Sequence, residues 1–587
     1  MIRAAILAPM LMAIVLVVKP ITSKAWSWYK PWTWPVYETV KYTVSDWIWT
    51  PTEGCPMDDE LMARVKVDGE DGAKDFYSQT PIAWNYAVAR ALEGKRVHVK
   101  LEADWNARTE DMRSQYPSPV EGGHGSDRKW LILHKYDMGA DMEEKDIPYL
   151  NSSSDKEVDC FQDGAIFVPE NCDITIDLNG QMISRKAYDQ FIADGEIFYV
   201  SDGATLTIVD SNPNYKHPSG SSNIYGGVIK EGSSSNGAGA IQIKDGAKVY
   251  IEGGNFLWNS SSNDGGAIKI DGSRAELHVS ETTFRENRAA TGTIERNYGG
   301  AIAGYDATME LRNLHFLENK ADNRGGALFN KSGMLSLIDC RFDKNEVSND
   351  YGGAAYLSSS KDDPTMLLEQ NEFNKNSAGK HGGAIYFDTA GNVDAYGTKV
   401  KANSAGINGG GIYVNGKGVC LCDAEVKDNY SFDNGAGIYV DSIEDLNVMG
   451  KVVVTDNTEY TRGTTWHYVD NVCLQNGNAS VAYLNNGGLS VGSKIGVNST
   501  DRANDDGIMV VKNISEFAAK KYFFADIPGE KIKFEGDHNE TASFTASMIG
   551  GNAGVLIVLG SVAVLMFAFA VVLFIRKRKG AVDETEK

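Results

Sequence analysis

Between about residues 248 and 457, apolar and polar side chains alternate in short bursts, without the stripe of an amphipathic helix. Seven and five residues ahead of a recurring Phe or Val stand the pairs Val249/Ile251, Leu277/Val279, Met309/Leu311, Leu335/Leu337, Met366/Leu368 and Val393/Ala395. The nearer position continues as Leu421 and Met449. Tyr250, His278, Glu310, Ser336 and Asp394 lie between the paired residues. Apolar residues two apart, separated by polar ones, predict a short strand with one face turned inward. A second alternation, Ile268/Ile270, Ile385/Phe387, Ile412/Val414 and Ile438/Val440, predicts another inward-facing strand.

Two signatures punctuate these strands. Gly-Gly-Ala-Ile or a close variant starts at Gly237, Gly265, Gly299, Gly325, Gly352, Gly382, Gly409 and Gly435, at intervals of 26 to 34 residues. Phe-x-x-Asn runs in phase with it at Phe256/Asn259, Phe284/Asn287, Phe316/Asn319, Phe342/Asn345 and Phe373/Asn376. Val replaces Phe at Val400/Asn403, Val426/Asn429 and Val454/Asn457. A repeat of that period marks a stacked architecture in which each unit touches only its neighbours. Two inward strands and the Phe make about three short sheets per turn, which predicts an all-β fold, a right-handed single-stranded parallel β-helix. The glycine pair supplies a corner where positive φ or close coil contact excludes a Cβ. The asparagines recur at one corner, where stacked amides satisfy backbone groups. Both signatures are therefore structural.

The flanks are less regular. Apolar residues at helical spacing from Pro81 to Leu92, followed by the alternating Val97, Val99 and Leu101, predict a short capping helix leading into a first strand. Residues 106–128 are polar and hold Pro117 and Pro119, so they form a loop. At the start, Arg3, an apolar run and Ser23-Lys24-Ala25 predict a secretory signal over 1–25. Six of the eleven tryptophans fall between Trp26 and Trp49, which predicts a hydrophobic cap or an interfacial or glycan-stacking patch within 26–95. The β-helix is expected over 96–460, a membrane-proximal β region over 461–547, and a C-terminal transmembrane helix over 548–575 before the tail 576–587. Within that helix, 554–575 is an uncharged run of 22 residues followed by Arg576-Lys577-Arg578-Lys579, the pattern of a single-pass type I membrane protein.

Composition narrows the function. With 79 Asp and Glu against 57 Lys and Arg, and no basic cluster outside the tail, a nucleic-acid partner is excluded. Seven cysteines are too few for a disulfide scaffold in a chain of 587 residues. Cys160 and Cys172 have the spacing to close one loop, and Cys420 and Cys422, two apart, point the same way on a strand. No zinc-ligand spacing emerges, and no cofactor or metal is expected.

Glycine-glycine-alanine-isoleucine in phase with Phe-x-x-Asn resembles the repeat text of the chlamydial polymorphic outer membrane proteins and related β-helical adhesins, over 237–457. The flanks around Ile174 to Gly180, Gly203 to Ile208, Asn471 to Leu474, Lys494 to Val497 and Tyr522 to Asp526 resemble pectate-lyase-like surface proteins of monoderm bacteria. The resemblance implies a surface-exposed adhesin. The chain departs from the first family at its end, where a single apolar segment stands in place of an outer-membrane β-barrel. No Leu-Pro-x-Thr-Gly sorting text precedes that segment.

The β-helix also hosts polysaccharide lyases and hydrolases. A lyase resembling pectate lyase needs aligned carboxylates for Ca²⁺ and a basic residue. The best aligned column reads Gly253, Glu281, Asn313, Asp339, Gln370, Gly397 and Asp423, with no two neighbours both acidic. Gly123-His124-Gly125 lacks companion motifs, and Asp362-Asp363 and Asp505-Asp506 read as solvated turns. A different column stands out: Phe329, Tyr356, Tyr386, Tyr413 and Tyr439 occupy the outward position between the inward residues of five consecutive turns. At the spacing of β-strands these rings form an aromatic ladder, which either stabilises the sheet or offers a platform to a ligand. Sequons at Asn151, Asn259, Asn330, Asn429, Asn478, Asn498, Asn513 and Asn539 are a by-product of composition, since two of them coincide with ladder asparagines. The expectation is a cell-surface adhesin that binds a glycan or a surface protein of another cell, with a carbohydrate-active enzyme as the alternative.

Overall fold

The computed structural model describes residues 63–106 and 161–549, with short gaps. The signal, the tryptophan-rich stretch 26–49, the motif at Gly123, Cys160 and the run 554–575 lie outside the described residues. Among the described residues no helix is long and apolar enough to cross a membrane. Residues 548 and 549, expected to open the apolar helix, close the strand Phe544–Ile549.

One turn consists of the strands Ile268–Asp271, Glu276–Ser280, Thr283–Arg285 and Arg288–Ala289. The next turn lies beside it in parallel register, with Ile268 opposite Ile302, Leu277 opposite Met309, Phe284 opposite Phe316 and Ala289 opposite Ala321. Repetition gives a right-handed solenoid of about ten turns. Its described strands join into sheets of 17, 25 and 10 members, the last made mainly of two-residue strands after each ladder asparagine. Those strands are too short to leave an alternation signal in the sequence. Parallel stacking also runs past residue 460, through Val472–Leu474, Lys494–Ser499 and Phe523–Ala525.

The first turn is seeded by Arg96–Leu101, which pairs with Asp173–Asp177. The helix Thr80–Leu92 covers it. Pro81 suits the first helical turn because its missing N–H would have no partner there, and Gly94, at φ 77°, ends the element. Trp84 is fully buried and packs edge-on against Phe198, with ring centroids 6.2 Å apart.

The inward columns form one continuous core. Phe256, Phe284, Phe316, Phe342 and Phe373 stack along the axis at 4.5 to 5.2 Å between centroids. Such pairs contribute roughly 0.5–1.5 kcal/mol each beyond burial. The inward column changes register once. Val448, not Met449, aligns with Leu421 and is 2% exposed. The corner from Val448 to Val454 is one residue longer than that from Leu421 to Val426, so counting back from the Val lands one place late. Similarly, Ile241 pairs with Ile268, which aligns Ala238, not Gly237, with Gly265.

The glycine pair divides its labour. The first member is left-handed, with φ of 66° at Gly299 and 61° at Gly325. The second has no room: a Cβ on Gly326 would lie 2.0 Å from the Gly353 carbonyl oxygen of the following turn.

Asn259, Asn287, Asn319, Asn345, Asn376, Asn403, Asn429 and Asn457 form a single hydrogen-bonded ladder, each 0% or 1% exposed. From Asn287 on, the side-chain oxygen of each rung accepts from both the backbone N–H and the amide of the preceding asparagine, as Asn319 does from Asn287 at 3.0 Å each. The amide donates onward and to a backbone carbonyl, as Asn319 does to Phe284 at 2.9 Å. The ladder begins where Gly232 N–H donates to Asn259 and runs through Asn457 to Asn471. It ends on a carboxylate: Asp526 accepts the backbone N–H of Asn471 at 2.7 Å and its amide at 2.6 Å. Burial of Asn259 and Asn429 in the ladder removes both as glycosylation acceptors.

Asn330 is a polar residue in the apolar column. It is 0% exposed, and its side-chain oxygen has no partner. An unpaired buried polar group costs about 1–3 kcal/mol. Asn330→Leu is therefore expected to stabilise the protein by about 1–2 kcal/mol in urea unfolding; an unchanged or lowered midpoint contradicts this.

Candidate functional site

Phe329, Tyr356, Tyr386, Tyr413 and Tyr439 lie on the outer side of their strands, yet all are between 1% and 7% exposed. They stack on one another, with Tyr356 and Tyr386 at 5.2 Å and Tyr386 and Tyr413 at 4.8 Å, both within 7° of parallel. A second row covers them. The residues just before four consecutive glycine pairs, Tyr298, Arg324, Tyr351 and His381, are bridged each to the next. Each covers the inner ring one turn on: Tyr298 lies 4.7 Å from Phe329, Tyr351 4.8 Å from Tyr386 and His381 4.7 Å from Tyr413. The Arg324 guanidinium sits 4.8 Å over Tyr356, a cation–π contact. Burial pushes the hydroxyls of Tyr356, Tyr386, Tyr413 and Tyr439 above the ordinary phenol range. The Tyr413 hydroxyl donates to Asp441 at 2.5 Å. With both faces occupied by neighbours and the outer side covered, the column leaves no open ring face for a sugar.

The asparagine column does not reach the surface either. Asn403 is 0% exposed, and its side-chain oxygen accepts the Asn376 N–H at 2.8 Å and the Asn376 amide at 2.9 Å. Its own amide donates to the Phe373 carbonyl at 3.0 Å and to Asn429 at 2.9 Å. Every hydrogen-bonding group of that side chain is used within the scaffold, so the column holds turns together and presents nothing to a ligand.

The column considered for a lyase is a backbone corner. Gly253, Glu281, Asn313, Asp339, Gln370, Gly397 and Asp423 all have φ between 51° and 83°. Left-handed backbone selects Gly, Asn and Asp at such positions, so part of the column's acidic composition reflects conformation. Among the described residues no three His, Cys, Asp or Glu side chains converge as metal ligands. Asp362 and Asp505-Asp506 lie outside the described residues.

Exposed aromatic surface gathers elsewhere, at the C-terminal end of the ten-strand sheet. Strand Tyr430–Ser431 pairs with Thr458–Tyr460, which turns back antiparallel into His467–Val469, the last strand of that sheet. Because Tyr430 lies opposite Thr458 and Tyr460 opposite His467, the side chains of Tyr430, Tyr460, His467 and Val469 share one face. Phe432 follows two residues after Tyr430. Tyr430, Phe432 and Tyr460 are 38% to 42% exposed, and Val469 is 49% exposed. Tyr460 meets Tyr430 edge-on at 5.7 Å and His467 at 4.5 Å. The sequence carried a signal for this patch. The residue after each ladder asparagine is Ser260, Arg288, Lys320, Glu346, Ser377 and Ser404 before it becomes Tyr430. An aromatic residue entering an otherwise polar outward column is the anomaly.

The hairpin is rooted in the closing cap. Directly after Val469, the fully buried Asp470 accepts the Gly435 N–H at 2.5 Å, and Asn471 is the last amide rung. Burial raises Asp470 well above the carboxylate range and pushes Asp526 up to about 6. Because folded Asp526 holds its proton more tightly than the unfolded chain, its contribution favours folding below about pH 4, weakens between about 4 and 6, and then stays low. At 1.36 kcal/mol per pH unit, the ionised form costs about 3 kcal/mol at pH 7. Asp526→Asn can accept both Asn471 donors on one oxygen, as every other rung does. The variant is expected to be about 1–2 kcal/mol more stable at pH 7, after about 1 kcal/mol for its own unpaired amide, and to lose that advantage at pH 4. Urea midpoints at the two pH values check this; identical pH profiles contradict it.

A family model described as right handed beta helix region matches residues 226–400, within the solenoid. The chain is similar to that family over this span. No curated protein and no solved structure matches the chain.

Proposed function

We propose that the protein is a surface interaction protein of the adhesin type, whose exposed aromatic face around Tyr430, Phe432, Tyr460 and His467 binds a glycan of another cell. The observation that carries this reading is that cluster of half-exposed rings on an otherwise polar sheet. Rings whose edges and faces are open to water suit the apolar face of a sugar, and large exposed apolar patches mark binding surfaces. The resemblance of the repeats to β-helical adhesins supports the same reading. The apolar run 554–575 and its basic flank would hold the solenoid at a membrane, with the patch outside.

A glycan array probed with residues 26–547 identifies the ligand, and Tyr430→Ser and Tyr460→Ser are each expected to weaken binding about tenfold, or 1.4 kcal/mol. Both side chains are well exposed, so the unfolding midpoint is expected to stay nearly constant. Undiminished binding by the double variant contradicts the site. Ca²⁺-dependent cleavage of a polyuronate favours the carbohydrate-active enzyme instead.

A further inference from the structure

One pair of nucleophilic side chains belongs to neither the ladder nor the aromatic face. Cys420 and Cys422 lie on the strand Val419–Cys422, on its outer side, with Leu421 between them buried in the core. Their sulfurs are 3.2 Å apart. Asp394 and Tyr396 flank them on the preceding turn, and Asn447 and Met449 on the following one. The two thiols are unequal. Cys420 is partly exposed, whereas Cys422 is 2% exposed. The neighbouring Cys420 sulfur, and then burial, push the Cys422 thiol well above the ordinary cysteine range.

We propose that Cys420 and Cys422 are a redox-active dithiol that closes to an intrastrand disulfide by exchange with a low-molecular-weight disulfide. The Cys420 thiolate attacks one sulfur of the incoming disulfide, forms a mixed disulfide and releases the first thiol. Cys422 then gives up its proton and attacks the Cys420 sulfur, forming the Cys420–Cys422 bond and releasing the second thiol. Two protein thiols are oxidised and one external disulfide is reduced to two thiols, so the exchange balances. Exposure assigns the order, since only Cys420 is open to an incoming reagent.

The strand geometry decides what kind of bond forms. Residues i and i+2 of an extended strand stand about 6.4–6.8 Å apart at Cα, the upper end of what a disulfide spans. Closing the sulfurs to about 2.05 Å puckers the strand on either side of Leu421, which is seated in the core. A bond under such strain is readily reduced, and labile disulfides are the switching ones, in contrast to structural staples.

The intact reduced chain is equilibrated with mixtures of reduced and oxidised glutathione, quenched with N-ethylmaleimide, and the peptide spanning the pair is weighed. The expected result is two populations in the native protein, one carrying two maleimides and one carrying neither and lacking two hydrogens, with the second growing as the mixture becomes more oxidising. Cys422→Ser is expected to accumulate a single glutathione on Cys420, because the resolving thiol is gone. Cys420→Ser is expected to leave Cys422 unmodified until the chain is unfolded. A native pair that stays reduced in the most oxidising mixture overturns the proposal, as does one that retains glutathione on Cys420 or links two copies of the chain. These readouts are independent of glycan binding.

Discussion

Asn345→Ala is expected to cost the protein about 2–6 kcal/mol, a large part of a typical domain's stability. The Asn345 side-chain oxygen accepts the Asn319 N–H at 2.9 Å and the Asn319 amide at 3.0 Å. Its own amide donates to the Phe316 carbonyl at 3.0 Å and to Asn376 at 2.9 Å. Alanine removes all four bonds, while Asn319, at 0% exposure, stays away from water. Two donors, the Asn319 backbone N–H and one N–H of its amide, are left unpaired, each costing about 1–3 kcal/mol. Asn345→Asp is expected to be at least as harmful, because it sets a buried anion against the Asn376 oxygen. Urea unfolding measures both. Since each turn touches only its neighbours, the transition is also expected to split, with the turns on either side of 345 unfolding separately. A loss below about 1 kcal/mol contradicts a stabilising ladder.

Gly326→Ala is expected to do comparable damage by a steric route. The added Cβ would stand 2.0 Å from the Gly353 oxygen of the following turn and 2.8 Å from the Glu346 nitrogen at the end of its own, both backbone atoms. No rotamer relieves this, so the turns must separate or the corner must distort. Forced overpacking costs about 1–3 kcal/mol where side chains yield, and backbone against backbone is expected to exceed about 4. The chain carries its own comparison. In the last repeat Ala436 follows the left-handed Gly435, and there the ten-strand sheet goes on into an antiparallel hairpin. A Gly326→Ala protein with an unchanged thermal midpoint contradicts the argument.

The inward columns were legible in the sequence because strand periodicity survives any detail of the corners. Val249, Leu277, Met309, Leu335, Met366 and Val393 are all at most 1% exposed. The Asn and Gly roles were legible too, since only a few residue types tolerate those backbone positions. Met449 failed because one extra corner residue shifts the count. The burial of the tyrosine column was hidden because its cover comes from Tyr298, Arg324, Tyr351 and His381. These differ in charge and size and share only a flat group able to stack, so they leave no column in the text. The column weighed for a lyase, already lacking two acidic neighbours in the sequence, owes part of its composition to a backbone preference that the sequence does not separate from a chemical one. The exposed patch emerged only once the two-residue strands had placed Tyr430 and Tyr460 on one face.

The rungs from Asn259 to Asn471 all point the same way, each donating toward the C-terminal end. The ladder is thus a one-way template: an open C-terminal end presents a pair of N–H groups that any further amide rung, including one from a second molecule, is shaped to accept. A carboxylate accepts that pair but has no N–H with which to continue the pattern. Asp526 therefore closes the pattern, at the cost of some stability at neutral pH where its buried carboxyl ionises.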